Sequence, residues 1–368
     1  MRVLICGGGV IGTSIAYFLS RRGAEVTVIE RTAIACAASG KSGGFLALDW
    51  CDGTPLAPLA RRSFTLHEIL ANDLGNTWGY RRLQTYTGTA SAQRSAKRRT
   101  AHDFAWLSNS VSIARRLGTT NSTAQVDPAA FTKAMMRAAE AHGATHRIGE
   151  VTGLERDEDT GRMTGVRIGD ETLACDAVVI AMGPWSILAS GWLPLPGVYG
   201  LKGHSMVFDT GNRVGPEALF LEYQEASGEQ HSPEVFPRVG GTTYVCAISS
   251  DSPLPLDPAQ VHPDDGAISR LHDMCARMSP VLADAHVLAT QACFRPVTED
   301  GLPLIGAVAG CDGAYVATGH SVWGILNAPA TGEAMAELIL DGTTQTVDLN
   351  RFRPDRLRAF DPSRLRMQ

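Results

Sequence analysis

Lysine is nearly missing from this sequence. Only four of its 33 basic residues are lysines (Lys41, Lys97, Lys133 and Lys202), and the bias by itself points to no function. An excess of positive charge is missing too: 38 acidic residues leave a net charge of −5. Without a basic footprint for phosphates, nucleic acid is not an expected partner. No run approaches the ~18 apolar residues that a membrane-spanning helix requires, so no membrane span is expected. The eight cysteines form no Cys-x-x-Cys pair and no Cys/His zinc spacing. That excludes a metal site of this kind and predicts free thiols in a reducing cytoplasm. The first apolar strand begins at Arg2, which predicts no signal or transit peptide and again a cytoplasmic location. Internal repeats and low-complexity tracts are also lacking. What remains is an ordinary globular composition, 44% apolar and 19% charged over 368 residues, long enough for two domains or one interleaved pair.

The most informative stretch is the first thirty residues. An apolar run, Arg2-Val-Leu-Ile-Cys6, meets Gly7-Gly-Gly-Val-Ile-Gly12. A helical pattern over 13–22 follows, then a second β-run over 25–29 that ends on Glu30. Gly7 permits a tight turn, Gly9 lets a pyrophosphate approach the backbone, and Gly12 lets the helix pack close on the strand. The helix start offers N–H groups and the positive end of a dipole to phosphate. Glu30 stands where an acid accepts hydrogen bonds from a ribose 2′-hydroxyl. The pattern predicts dinucleotide binding.

Residues 31–49 are small, polar and glycine-rich around Ala38-Ser-Gly-Lys-Ser-Gly-Gly-Phe45. They predict a loop, lying against a ligand or free at the surface. Helices are predicted over 56–74, 101–117 and 128–142, the last capped by Asp127 with Pro128 in its first position. A strand is predicted within 80–90, and short strands over 145–148, 151–155, 163–168 and 171–174. Ala177-Val-Val-Ile-Ala-Met-Gly183 predicts a buried strand closed by glycine. Residues 193–290 change character, being rich in proline, glycine and β-formers, with strands over 205–209, 218–223, 234–237 and 242–248 and a helix over 264–278. From 298 the α/β style returns. Gly313-Ala-Tyr-Val-Ala-Thr-Gly-His320 predicts a strand that leads through Ser321–Asn327 into a helix over 330–340. A second strand–loop–helix start is more than an NAD(P) dehydrogenase needs, whereas an extended FAD needs one site for its AMP half and one for its isoalloxazine ring.

The chain resembles the D-amino acid oxidase (glycine/sarcosine oxidase) superfamily of FAD-dependent oxidoreductases. The residues that carry the resemblance are Gly7–Gly12 with Glu30, Val126-Asp-Pro128, Ala181-Met-Gly-Pro-Trp185, Arg295-Pro with Asp300-Gly-Leu-Pro-Leu-Ile-Gly306, and Thr318-Gly-His320 with Gly324-Ile-Leu-Asn-Ala-Pro-Ala-Thr-Gly332. Within the superfamily, Gly200-Leu-Lys-Gly-His-Ser-Met206, Glu234-Val-Phe-Pro-Arg238 and Gln291-Ala-Cys293 are similar to a branch of oxidoreductases best known in fungi and plants.

The resemblance implies a Rossmann-type α/β FAD domain (1–75, 126–192 and 293–368) interleaved with an α+β substrate domain (76–125 and 193–292) on a mixed, largely antiparallel sheet. It implies oxidation of the C–N bond of an amino acid or secondary amine, with hydride passing to flavin N5 and the imine then hydrolysed. The acceptor is oxygen or another, unnamed one. Cofactor contacts are implied for Gly7, Gly9, Val10, Ile11, Gly12, Glu30 and Arg31, and for Ser39, Lys41, Ser42, Gly43 and Gly44. They are implied further along for Val151, Ala181, Gly183 and Trp185, and for Gly319, His320, Val322, Trp323, Gly324, Ile325 and Leu326.

Arg295 matches the arginine that forks onto a substrate carboxylate in glycine-oxidase-like members; a structural ion pair is the other reading. Tyr223 and Tyr244 are substrate contacts or packing aromatics. His320 bonds cofactor or substrate, or is a satisfied structural histidine. Cys293 falls where monomeric sarcosine oxidases carry a cysteine bonded to the flavin, although dissociable FAD is the default. Those enzymes also carry a flavin-facing lysine that promotes reaction with oxygen, and near its position this chain has Val245. A non-enzymatic or weakly active flavoprotein serving assembly or trafficking is the alternative outside catalysis, and an NAD(P) dehydrogenase the alternative within it.

Overall fold

The computed structural model describes residues 1–93 and 104–365. The opening motif folds as its pattern predicts. The Arg2–Cys6 strand enters the glycine turn, the Val10–Ser20 helix follows, and the Glu25–Glu30 strand returns parallel to the first. Gly7 has φ +115, and a Cβ there would meet the Ala181 carbonyl oxygen at 2.4 Å. A Cβ on Gly12 would sit 2.0 Å from the Gly7 carbonyl oxygen, so the helix approaches the strand only because that position is bare.

Four more strands extend this unit to a six-stranded sheet, in the order Leu304–Ala307, Ala314–Thr318, Ala177–Ile180, Arg2–Cys6, Glu25–Glu30 and Thr145–Ile148. All neighbours are parallel except the first pair, which are antiparallel. Ala177–Ile180 is buried at every residue, as a parallel strand covered on both faces must be. The Val10–Ser20, Ala57–Asp73, Pro128–Ala141 and Gly324–Asp341 helices cover one face. The three-stranded sheet Val151–Arg156, Met163–Ile168, Glu171–Ala174 covers the other. Asp127 accepts from the Ala130 N–H at 2.8 Å, the cap expected there.

A second sheet runs in the order His286–Val297, Tyr199–Asp209, Thr242–Ser250, Glu234–Pro237, Ala218–Gln224, Thr85–Ser91 and Val111–Gly118, with Gln230–His231 beside Ala218–Gln224. Every pairing is antiparallel except that of Ala218–Gln224 with Thr85–Ser91. The Ala267–Met278 helix packs on one face through Leu271, Met274 and Cys275. This is the α/β architecture expected, a parallel nucleotide-type sheet beside a mixed, largely antiparallel one. No helix among the described residues is long and apolar enough to cross a membrane.

Three local expectations fail. The helix predicted over 101–117 is not formed: 101–103 lie outside the described residues, and Val111–Gly118 is an edge strand. Val111 and Ile113 are both buried at a period of two, which a strand satisfies and a helix does not. The loop predicted over 31–49 contains a one-turn helix, Ala38–Lys41, and a short strand, Phe45–Ala47, that pairs with Thr123–Gln125 and buries Leu46 and Ala47 completely. The last helix starts at Gly324 rather than 330, and carries Pro329 inside it.

Candidate active site

One continuous cavity joins the two sheets. At one end lie the turn Gly7–Ile11, Glu30 and Arg31; along it lie Ser39, Ser42, Gly43, Val151, Ala181, Gly183 and Trp185. Gly319, His320, Val322, Gly324 and Ile325 line it from the last strand–helix turn. At the far end Tyr244, Cys246, Glu234, Cys293 and Arg295 project from the second sheet, with Gly203 and His204 between them.

At the nucleotide end the Glu30 carboxylate accepts from the Gly8 N–H at 2.8 Å and the Thr32 N–H at 2.9 Å, which holds it at the cavity edge. The Ser39 hydroxyl accepts from the Val10 N–H at 2.9 Å and so caps the first helix from another segment. Arg31 reaches the Leu256 carbonyl at 3.0 Å and Glu150 at 3.2 Å. Trp185 donates from Nε1 to the Pro255 carbonyl at 2.7 Å. These two contacts fasten the proline-rich 251–266 segment, whose Leu256 and Pro258 line the cavity, onto the parallel sheet's side. The segment is anchored on its own side by Asp264. Burial alone would raise that carboxyl; hydrogen bonds from Lys202, Ser250 and Ser252 outweigh it and hold the group well below the usual carboxylate range.

The last helix meets the cavity with its N-terminus. His320 lies beside it with Nε2 3.1 Å from the Thr331 hydroxyl, while its buried Nδ1 has no protein partner among the described residues. Burial lowers its pKa to about 3, so the ring is neutral. The buried Ser42 hydroxyl is likewise without a protein partner. Two orphaned polar atoms on the wall, a bare glycine turn and a helix N-terminus fit a long, polar, phosphate-bearing group.

At the far end alternation decides which side chains count. Tyr244 and Cys246 face the cavity; Val245 points the other way, into the core under the Ala267–Met278 helix. Near the position of the flavin-facing lysine of sarcosine oxidases, the side chains that face the cavity are therefore tyrosine and cysteine, not Val245. Burial pushes the Tyr244 hydroxyl well above its ordinary value, so it stays protonated. Its ring stacks on Phe236 at 6.1 Å and lies under Arg238 at 5.3 Å. Arg238 also donates to the Ser42 carbonyl at 2.8 Å and reaches the Asp127 carboxylate at 3.2 Å. One partly buried cation thus ties the aromatic wall to the Ser42–Gly44 loop and to a helix cap. Arg295 crosses above Gly203, donating to the Ser249 hydroxyl at 3.3 Å. No carboxylate lies within 4.0 Å of it among the described residues, so the structural ion-pair reading fails. Cys293 lies beside it; burial raises its thiol, and the charges of Arg295 and Lys41 only partly oppose this.

Several expected contacts lie elsewhere. Tyr223 is on the opposite face of the sheet, in the core with Leu271 and Met274. Gly12 and Gly44 act through close packing, and Leu326 is in the core. Trp323 packs edge-on to Trp50 at 6.4 Å. None of these lines the cavity, nor does Lys41, whose charge acts on Cys36 and Cys293. Glu234, Cys246, His204 and Arg238 were not anticipated as site residues. Glu234, Arg238 and His204 lie in the stretches that resemble the fungal and plant branch, but that likeness gave them no role, and strand alternation does not say which face meets the ligand.

The fold and the two-ended cavity define a dinucleotide-type flavoprotein. The pattern of the family described as FAD dependent oxidoreductase (DAO) matches residues 2–338, and the chain belongs to that family. It is 29% identical over 379 residues to an oxidoreductase of Schizosaccharomyces pombe, covering 96% of this chain and 97% of that one. It is 27% identical over 363 residues to a glycine oxidase of Geobacillus kaustophilus, covering 92% of each. A crystal structure of glycine oxidase from that organism superposes with a TM-score of 0.80 at 24% identity, over 97% of this chain and 99% of that one, and shows the shared fold.

Proposed function

We propose that the chain oxidises the C–N bond of an amino acid or secondary amine that carries a carboxylate, using dissociable FAD. The observation that carries this reading is Arg295, a guanidinium with no carboxylate partner among the described residues, facing the end of the cavity opposite the dinucleotide turn. A planar, permanently charged fork suits a carboxylate. When bound, FAD supplies the two-electron oxidation by accepting a hydride at N5 from the carbon beside nitrogen, and water then hydrolyses the imine. Glu30 and the Gly7–Gly12 turn hold the ribose and pyrophosphate. Ser42, His320 and the first turn of the last helix hold the ring. Tyr244 offers a protonated hydroxyl to the substrate. The 1–75, 126–192 and 293–368 segments serve as the FAD domain, and 76–125 with 193–292 as the substrate domain. The raised Cys293 thiol supports dissociable rather than covalent FAD, because the thiolate is the species that bonds. The eight unpaired thiols support a reducing, cytoplasmic setting.

Anaerobic mixing of the FAD-loaded protein with a panel of amino acids and secondary amines tests the reading. Bleaching of the flavin by one of them is expected; no bleaching by any of them overturns it and favours a non-catalytic flavoprotein. Oxygen-electrode and dye-reduction assays on the active substrate then assign the electron acceptor.

A further inference from the structure

Among the described residues, Glu234 is the one carboxylate that the second sheet projects into the cavity, and the proposed function gives it no role. Its strand pairs with Thr242–Ser250 so that Glu234 stands opposite Cys246, whose thiol donates to the carboxylate at 3.5 Å. Arg295 projects into the same cavity from His286–Val297, the third strand along from that of Glu234, beyond Thr242–Ser250 and Tyr199–Asp209. The two charges feel each other but do not close to an ion pair: no nitrogen–oxygen distance of 4.0 Å or less joins them. An anion and a cation, each without an ionic partner among the described residues, therefore face one cavity.

We propose that Glu234 and Arg295 form a dipolar cradle for a zwitterionic substrate, with Arg295 taking the carboxylate and Glu234 taking the ammonium and then its proton. This rests on the reading that the substrate is an amine-bearing carboxylate. The chemistry demands such a group. Hydride leaves the carbon only when the nitrogen lone pair is free, yet an amino acid arrives as an ammonium near neutral pH. In the proton transfer an N–H bond of the ammonium breaks and its electron pair stays on nitrogen. An O–H bond forms on Glu234, which becomes neutral as the amine does. Burial raises the Glu234 carboxyl above its ordinary value, against the opposing influence of Arg295 and the Cys246 thiol, which makes it a better acceptor. The other ionisable groups of this wall are Tyr244, from the strand that carries Cys246, Cys293, from the strand that carries Arg295, with Lys41 acting on Cys293 from the one-turn helix, and His204, from the strand between, whose ring nitrogens lie 3.1 Å from the Ile248 carbonyl oxygen and the Asp264 backbone nitrogen. The Ala218–Gln224 strand places Phe220 opposite Glu234, a side chain that does not titrate.

The test uses the FAD-loaded full chain and Glu234→Gln, with Glu234→Asp as the conservative variant and the flavin spectrum as the check that each is folded and loaded. Matched carboxylates that differ only in their amine (acetate and glycine, propionate and alanine, cyclopentanecarboxylate and proline) are titrated anaerobically by calorimetry. Wild type should prefer the amine-bearing member of at least one pair. Glu234→Gln should lose about tenfold of that preference while binding the amine-free member as before, as expected for a hydrogen bond to a charged group. With the amine that bleaches the flavin, the rate of reduction in Glu234→Gln should fall at neutral pH and recover at high pH, where solvent supplies the free amine. Glu234→Asp should restore part of the neutral-pH rate. An unchanged preference and pH profile in Glu234→Gln, with wild type still oxidising an amine, overturns the cradle alone. If no amine binds or bleaches the wild type, the proposed function falls and the cradle falls with it.

Discussion

His67 lies with Nε2 2.9 Å from the carbonyl oxygen of Ile325, the acceptor that Pro329 leaves without a helical partner. A helix normally closes this bond with the N–H four residues on, and proline has none. The His67 ring therefore donates from Nε2, and one turn earlier Ser63 accepts from the Ala330 N–H at 3.0 Å. The Ala57–Asp73 helix thus repairs the first turns of the helix whose N-terminus faces the cavity. This is how a proline sits inside that helix.

Acid should destabilise the fold through this contact. In the unfolded chain a histidine takes up a proton near pH 6.5; burial lowers this to about 4 for His67 and about 3 for His320. Between those values and 6.5 the unfolded state binds more protons, so stability falls as pH falls across the window. Urea unfolding of the FAD-loaded protein from pH 7 to pH 4.5 should show this slope, and His67→Gln should flatten it. An unchanged slope would mean that the ring is not buried in the neutral form.

Arg295→Ala should retain FAD and lose carboxylate substrates. Removing a charge-assisted contact whose partner charge is left buried costs about 2–5 kcal/mol. An unaltered kcat/KM for the best carboxylate substrate would refute the assignment.

Glu30→Ala should weaken FAD retention without altering the chemistry of the loaded fraction. A lost hydrogen bond to a charged group is worth about 1.5–3 kcal/mol, roughly tenfold or more in Kd. If FAD affinity does not move, Glu30 is not on the ribose. Gly8 and Thr32 donate to different oxygens of Glu30, so Glu30→Gln keeps an acceptor for one of them and separates only part of the loop support from the ribose contact.

Gly43→Ala should disturb the aromatic wall. The added Cβ would sit 2.3 Å from the Phe236 ring and 3.2 Å from Tyr244, and the two rings are stacked. Overpacking of this kind costs about 1–3 kcal/mol. A lowered Tm and a raised KM are expected, with FAD still bound; a variant indistinguishable from wild type would show that the wall yields freely.

Acid precipitation of the fully loaded protein should give a white pellet under a yellow supernatant, the sign of dissociable FAD. Colour and an FAD-sized mass increment that stay with the protein and vanish in Cys293→Ala would show instead that the thiol bonds the flavin.

The nucleotide end was legible from the residues alone because its physics is local. A strand, a bare turn, a helix start and an acid lie within thirty residues, and Gly12 answers to a close approach inside that unit, although Gly7 is required by Ala181 on a distant strand. Arg295 was legible by its resemblance to a family motif. The substrate end was decided by tertiary structure. Tyr223 and Tyr244 are both buried strand residues, and a sheet covered on both faces gives no polar alternation to say which of them meets the cavity. The same ambiguity left open that Val245 faces the core and that Glu234 faces the cavity, where its partner Cys246 is reached only through strand pairing. The helix expected over 101–117 failed for a related reason: Val111 and Ile113 find their burial against another strand, not along a helix face. Local pattern determines what each segment can become; only the pairing of distant strands determines which side chains share a cavity.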